Sequence, residues 1–254
     1  MSQAVTAAVL IIGNEILSGR TKDKNIAFLG HELNEIGIRL LEARVVADEQ
    51  GEIVDAVNTL RARYDYVFTT GGIGPTHDDI TSDSIAAAFG VGIDYHPDVY
   101  KLLKDYFESE GIEANQARMR MARVPDGAEL IDNDVSLAPG FQLENVFVLA
   151  GVPSIARSMF ARAKNRLRHG AAMLSRSVRS HAGEGTLAKG LSEIQHAYTD
   201  VEIGSYPWSR DGRHGTSVVA RSTNGQNLDA AAKQIFGLVD EHGGEPVWET
   251  DSDT

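Results

Sequence analysis

Through the first two-thirds of the chain, short continuous apolar runs alternate with amphipathic stretches. Ala8–Gly13 (AVLIIG) has no polar break, as expected of a strand buried on both faces. Asn25–Ile36 then sets Ile26, Leu29, Leu33 and Ile36 at helical spacing, with Gly37 as a stop. Ile38–Val46 and Tyr64–Thr70 read as further strands, separated by a helix with Ile53, Val57 and Leu60 on its inner face. This alternation predicts a mostly parallel sheet covered on both sides, a three-layer α/β/α domain. Val99, Leu102, Leu103, Tyr106 and Phe107 mark another amphipathic helix, and Asn145–Pro153 (NVFVLAGVP) another buried strand. The next helix turns Ile155, Met159, Phe160 and Leu167 inward. Its outer side carries Arg157, Arg162, Arg166 and Arg168, read as a solvated face.

The pattern changes near residues 170–175. A strand (Arg176–His181), a helix (Leu187, Leu191, Ile194), two strands (Asp200–Tyr206, Thr216–Ser222) and a final helix (Leu228, Ile235, Leu238, Val239) follow. That β-α-β-β-α order predicts a small α+β domain over 175–254, behind an α/β domain over 1–170. The acidic tail EPVWETDSDT reads as a fraying end.

Composition narrows the function more than the fold. Among 254 residues, Lys+Arg number 24 and Asp+Glu 36, for a net charge of −12. Such a surface disfavours nucleic acid and anionic membrane as partners. There is no cysteine, which removes disulfides, thiolate metal sites and cysteine nucleophiles. No apolar run approaches the ~20 residues that cross a bilayer, and the start lacks a basic leader. The expectation is a cytoplasmic protein that meets any phosphate-bearing ligand through a local device and not a broad basic face.

The chemistry concentrates at the end of the third strand, in TTGGIGPTHDDIT (Thr69–Thr81). In a parallel α/β sheet, ligands bind outside the carboxyl ends of the strands. Free backbone N–H groups and a helix N-terminus after the glycines would receive phosphate. Asp78 and Asp79 would repel it: like charges ~4 Å apart cost about 4 kcal/mol at an effective dielectric of ~20. A hard divalent cation (Mg, Co or Mn) between carboxylate and phosphate oxygens resolves the conflict. Asp78, Asp79, Thr81 and Ser82 also suit helix capping, as does Asp48 at the end of the second strand. No Walker lysine is present, and Pro75 interrupts any G-x-G-x-x-G pattern. Two further strand ends, GNEILSGRTKDKN and VVADEQ, bring Gly13, Glu15, Asn25 and Asp48 toward the same edge.

Those three segments together resemble the molybdopterin-binding (molybdenum-cofactor biosynthesis) domain family over residues 6 to 168. Within it, GGIGPTHDD is especially similar to the N-terminal domain of competence/damage-inducible protein A and to the hydrolase-like domain of FAD synthase. The resemblance implies catalytic roles for Asp79 and Asp48, as in the family's adenylyltransferases. The acid doublet completed by Asp78, and Ile73 where adenylyltransferases usually carry threonine, imply instead the branch that cleaves ADP-ribose or FAD with a metal. On that reading Asp79, Asp48 and Asp78 hold the cation. Gly13, Glu15, Asn25, Thr70, Gly71, Gly72, Gly74, Pro75, Thr76, Thr81 and Ser82 bind substrate, and His77 is an optional proton carrier. Adenylyl transfer onto a molybdopterin-like phosphate and a non-catalytic binding module remain alternatives, and the resemblance implies a small-molecule nucleotide or pterin ligand and a homo-oligomer, dimer or trimer. The small second domain resembles the one that follows in such relatives, with a KH-like topology lacking the GxxG clamp, and is expected to serve packing or dimerisation.

Overall fold

The computed structural model describes residues 4–249, and the chain divides into two compact units between Gly170 and Ala171. In the first, the chain runs β1 (Val5–Ile12), α1 (Asn14–Leu17), α2 (Asn25–Glu35), β2 (Ile38–Val46), α3 (Gln50–Arg63), β3 (Tyr66–Thr70) and α4 (Thr81–Phe89). It continues through β4 (Ile93–Tyr95), α5 (Pro97–Ser109), α6 (Gln116–Met119), β5 (Arg123–Pro125), β6 (Glu129–Ile131), β7 (Gly140–Leu143), β8 (Val146–Leu149) and α7 (Pro153–Ala163).

The main sheet has the order β2-β1-β3-β8-β7-β6. Its first four strands are parallel, while β7 is antiparallel to both neighbours. The unbroken apolar run of β1 follows from its central place. Val9 and Ile11 pack with Leu29 and Leu33 of α2 and Met159 and Phe160 of α7. Leu10 and Ile12 point the other way, onto Ile53, Val57 and Leu60 of α3 and Ile85 of α4. The unit is thus a three-layer α/β/α domain. Because four strands run the same way, the residues after Ile12, Val46, Thr70 and Leu149 emerge at one edge.

Two expectations need correcting. On α5 only Val99, Leu103 and Phe107 are buried, whereas Leu102 and Tyr106 are 47% and 42% exposed. Arg157, Arg162, Arg166 and Arg168 are all exposed, as a solvated face requires, but three of them have acid partners and the helix expected to carry them is shorter. Arg162 pairs with Asp134, Arg166 lies 3.6 Å from Glu129, and Arg168 lies 2.8 Å from Asp65. The α-helix ends at Ala163, so Arg166 and Arg168 sit beyond it.

An edge interaction gives a pH-dependent prediction. The Tyr64 hydroxyl donates to Glu42 Oε2 on β2 at 2.7 Å. That bond first, and Arg44 second, hold the Glu42 carboxyl below its usual range. A depressed carboxyl contributes stability above its unfolded pKa, lost as pH falls through the folded one. Tyr64→Phe is therefore expected to lower the urea midpoint at neutral pH, with the difference from wild type closing as Glu42 protonates in acid.

The second unit runs β9 (Leu174–Ser180), α8 (Glu184–Ala197), β10 (Glu202–Arg210), β11 (Arg213–Ser222), α9 (Gly225–Glu241) and β12 (Val247–Glu249). Its sheet is antiparallel in the order β10-β11-β9-β12. This is a split βαβ arrangement and replaces the KH-like topology expected from five elements. The tail was expected to fray, yet Val247–Glu249 pair with β9. Trp248 stacks on Phe236 of α9 with ring centroids 5.0 Å apart, an apolar contact that the acidic composition of the tail did not announce. Residues 250–254 lie outside the described residues. Among the described residues, no helix is long and apolar enough to cross a membrane.

Candidate active site

After Thr70 the chain turns sharply beneath the end of β1. Gly71 makes the turn at φ 105°, and a Cβ there would stand 2.1 Å from the Ile12 carbonyl oxygen. Thr81 holds the return of the loop: its N–H donates to the Gly72 carbonyl and its hydroxyl to the Gly71 carbonyl, both at 2.9 Å. Its side chain is wholly buried, so Thr81 fastens the turn instead of offering a hydroxyl to ligand. The cap of α4 is Ile80, without a side-chain hydrogen bond. None of Asp78, Asp79, Thr81 or Ser82 therefore caps that helix. Ser82 is half-buried within the first turn of α4.

The loop spends two of its N–H groups internally. Gly71 donates to the Leu149 carbonyl at 3.3 Å and Thr76 to Asp79 Oδ2 at 2.7 Å. Those of Gly72, Ile73 and Gly74 have no acceptor among the described residues. Of the N–H groups expected to grip phosphate across Gly71–Thr76, these three consecutive ones are left for an acceptor from outside the loop.

Asp79 folds back on this loop. Its carboxylate accepts from both the N–H and the hydroxyl of Thr76, and Arg120 donates to its carbonyl at 3.1 Å. The Thr76 hydroxyl is also the main cause holding the exposed Asp78 carboxyl below its usual range; one proton serves only one of the two acids at a time. His77 is 97% exposed, with Nδ1 3.8 Å from Asp78.

The other strand ends take up different tasks. Gly13 is buried and donates to the Val46 carbonyl at 3.2 Å. Asp48 accepts from the Asn14 N–H at 2.8 Å, fastening the end of β2 to the loop after β1; it does not cap α3, whose N-cap is Glu49. Asn25, 3% exposed, donates to Thr70 Oγ1 at 3.3 Å and to the Gly151 carbonyl at 2.9 Å. It and the buried Thr70 brace the floor of the site, while Asn25 Oδ1 is buried with no hydrogen-bond partner among the described residues.

A cleft of about 1030 Å³ opens over the glycine loop. Of the residues singled out from sequence, Glu15, Gly71, Gly72, Gly74, Pro75 and Asp79 line it; Asp48, Asp78, Gly13, Asn25, Thr70, Thr76, Thr81 and Ser82 do not. An apolar part of the lining went unread in the sequence: Leu103, Tyr106 and Phe107 of α5, with Val135 and Leu137 from the β6–β7 connection. Asn133 shapes that connection by donating to the Ala138 carbonyl and accepting from the Val135 N–H, each at 3.0 Å. Ser158 and Arg162 of α7 anchor it through Asp134. The available signal was two aliphatics in an Asn-, Ser- and Pro-bearing loop. Among the described residues, no group of three or more His, Asp or Glu side chains is arranged to hold a metal ion.

Residues 8–169 match the family described as probable molybdopterin binding domain. The chain belongs to the molybdopterin-binding domain family. Residues 172–245 match the FAD synthase middle domain. A CinA-like protein of Thermotoga maritima is 31% identical over 93% of this chain and 59% of its own length. A probable FAD synthase of Caenorhabditis elegans is 27% identical over 95% of this chain and 51% of its own length. The chain thus spans between half and three-fifths of the length of these curated relatives. The crystal structure of a CinA protein of unknown function from Thermoplasma acidophilum is similar over 64% of this chain and 98% of its own, with a TM-score of 0.59 at 31% identity. The molybdopterin-binding family thus carries the three-layer unit and its glycine loop.

Proposed function

We propose that the cleft binds a nucleotide diphosphate such as ADP-ribose or FAD and hydrolyses its pyrophosphate bond. The observation that carries this reading is the mixed lining of one cleft: the glycine loop with Asp79, and the apolar Tyr106, Phe107, Val135 and Leu137. Phosphate would meet the loop and a planar heterocycle the apolar wall. A volume of about 1030 Å³ is at the upper end of the ~300–1,000 Å³ typical of ligand pockets, which suits a dinucleotide better than a mononucleotide. The CinA-like and FAD synthase relatives support a nucleotide ligand.

The donor set fits magnesium, cobalt or manganese held by the Asp79 carboxylate together with phosphate oxygens, since magnesium commonly uses one or two carboxylates plus substrate phosphates. Such a cation would supply neutralisation of the charge that develops on phosphorus. Asp79 orients the attacking water, and the three loop N–H groups hold the phosphate oxygens as charge grows. The water oxygen bonds to phosphorus, the bridging P–O bond breaks, and two phosphate monoesters leave with the released proton. Glu15, at the cleft rim, orients the ligand. Incubating the purified chain with ADP-ribose or FAD and each metal should yield AMP. Absence of AMP with every metal, alongside tight molybdopterin binding, would favour adenylyl transfer onto a pterin phosphate, the reading that the family description supports.

The apolar wall gives its own prediction. Tyr106→Ala should raise KM for ADP-ribose about tenfold, the usual effect of losing ~1–3 kcal/mol of base stacking. The change in kcat should be small, and Tyr106→Phe should behave as wild type in the same steady-state assay.

A further inference from the structure

Beside the cleft lies a second cavity of about 550 Å³. The two share no lining residue, and the consecutive residues Asp79 and Ile80 line one each. Its wall carries two guanidinium groups, Arg120 and Arg123, two primary amides, Gln50 and Gln116, and the Tyr95 phenol. Its single carboxylate, Asp83, is taken by Arg123 at 2.8 Å. Arg120 is half-buried and spends one bond on the Asp79 carbonyl; among the described residues it has no carboxylate partner. In a chain of net charge −12, such a cation stands out, because withdrawing a charge from water without a counter-ion is costly. Gln50 opens α3 and Ile80 caps α4, and neither cap is closed by a side chain. Both helix dipoles add positive potential to the arginines.

We propose that this cavity is a second anion-binding site, taking a phosphate group on Arg120, Arg123, Gln50 and Gln116. A planar guanidinium suits phosphate geometry, and its remaining N–H groups can serve the anion while one stays on the Asp79 carbonyl. Occupancy is therefore coupled to the loop that presents Asp79 to the cleft. The site does not depend on the hydrolase reading, because it needs only the cavity and its cations.

Titration of the ¹⁵N-labelled full chain with inorganic phosphate, read by amide chemical shifts, tests it. Saturable shifts at Gln50, Gly51, Ser82 and Asp83 are expected. Arg120→Gln should weaken binding at least about tenfold, as for loss of a charged hydrogen bond, whereas Arg120→Lys should retain part of it. Gln116→Ala, which leaves the Asp79 loop untouched, should also weaken binding and serves if Arg120→Gln disturbs the fold. Shifts confined to Gly72–Gly74, no shift at millimolar phosphate, or equal affinity in folded Arg120→Gln and Gln116→Ala would each overturn the proposal.

Discussion

Asp79→Asn should lower the hydrolysis rate at least about a hundredfold, the scale seen when one preorganised electrostatic group is removed from a reaction centre, while the melting temperature stays within about 2 °C of wild type. The structure separates the two effects. The Asp79 carboxylate accepts from the Thr76 N–H and hydroxyl, and an asparagine oxygen can accept from the same donors. The loop keeps its shape and loses only the charge that faces the cleft. Thr76→Val is the complementary change, removing the hydroxyl but leaving the N–H bond and the carboxylate, and should cost no more than about tenfold. Initial rates of AMP release and a thermal melt of each variant check both. Full activity in Asp79→Asn would remove the carboxylate from the chemistry. Joint collapse of activity and melting temperature would make it a structural residue.

The second large effect is on stability. Gly71→Ala should cost about 3–5 kcal/mol, or on the order of 10 °C in Tm for a chain of this size. Two costs combine: a φ of 105° that L-residues rarely adopt, and a new Cβ placed 2.1 Å from the Ile12 carbonyl oxygen. The obstacle is backbone at the end of β1, held between β2 and β3, and cannot swing aside. Gly111 provides the control, with a positive φ of 65° but nothing within 4 Å of its Cβ position. Gly111→Ala should cost only the conformational part, about 1 kcal/mol. Equal losses in the two variants would show that the contact with Ile12 contributes nothing.

Most of the architecture could be read because its signals are local and repeated. β2 covers Ile38–Val46 as read from the sequence, and the inner faces of α3, α8 and α9 carry the expected residues. The strands β4 to β7 are three or four residues long, too short for any periodicity to show. At the site, glycines beside an acid doublet marked the loop and Asp79. Sequence could not reveal that Thr81 would point inward, because its partner, the Gly71 carbonyl, is created by the turn itself. Asp48 was drawn to the ligand by position, yet it meets backbone across strand ends; Asn25 gives its amide N–H to backbone but keeps a buried Oδ1 without a partner among the described residues. The apolar wall escaped notice because Tyr106 looked like core on a helix whose buried face is narrower than its apolar one. Arg120 gave no signal at all: one of three arginines in QARMRMARV becomes distinctive only when its neighbours prove to lack a free acid.

The pairing of β12 with β9 has a consequence for how the chain folds during synthesis. Every ladder of the six-stranded sheet is made between residues 5 and 149, so that sheet can close while the second unit is still being translated. The four-stranded sheet cannot: its first strand, β9, acquires the last of its two neighbours only when Val247–Glu249 emerge. Until then one edge of β9 presents unpaired N–H and C=O groups, an opening for another strand. A nascent chain halted before Val247 would carry a finished glycine loop together with an unfinished, adhesive sheet. Ribosome-bound intermediates of that length are where misassembly of this protein should concentrate.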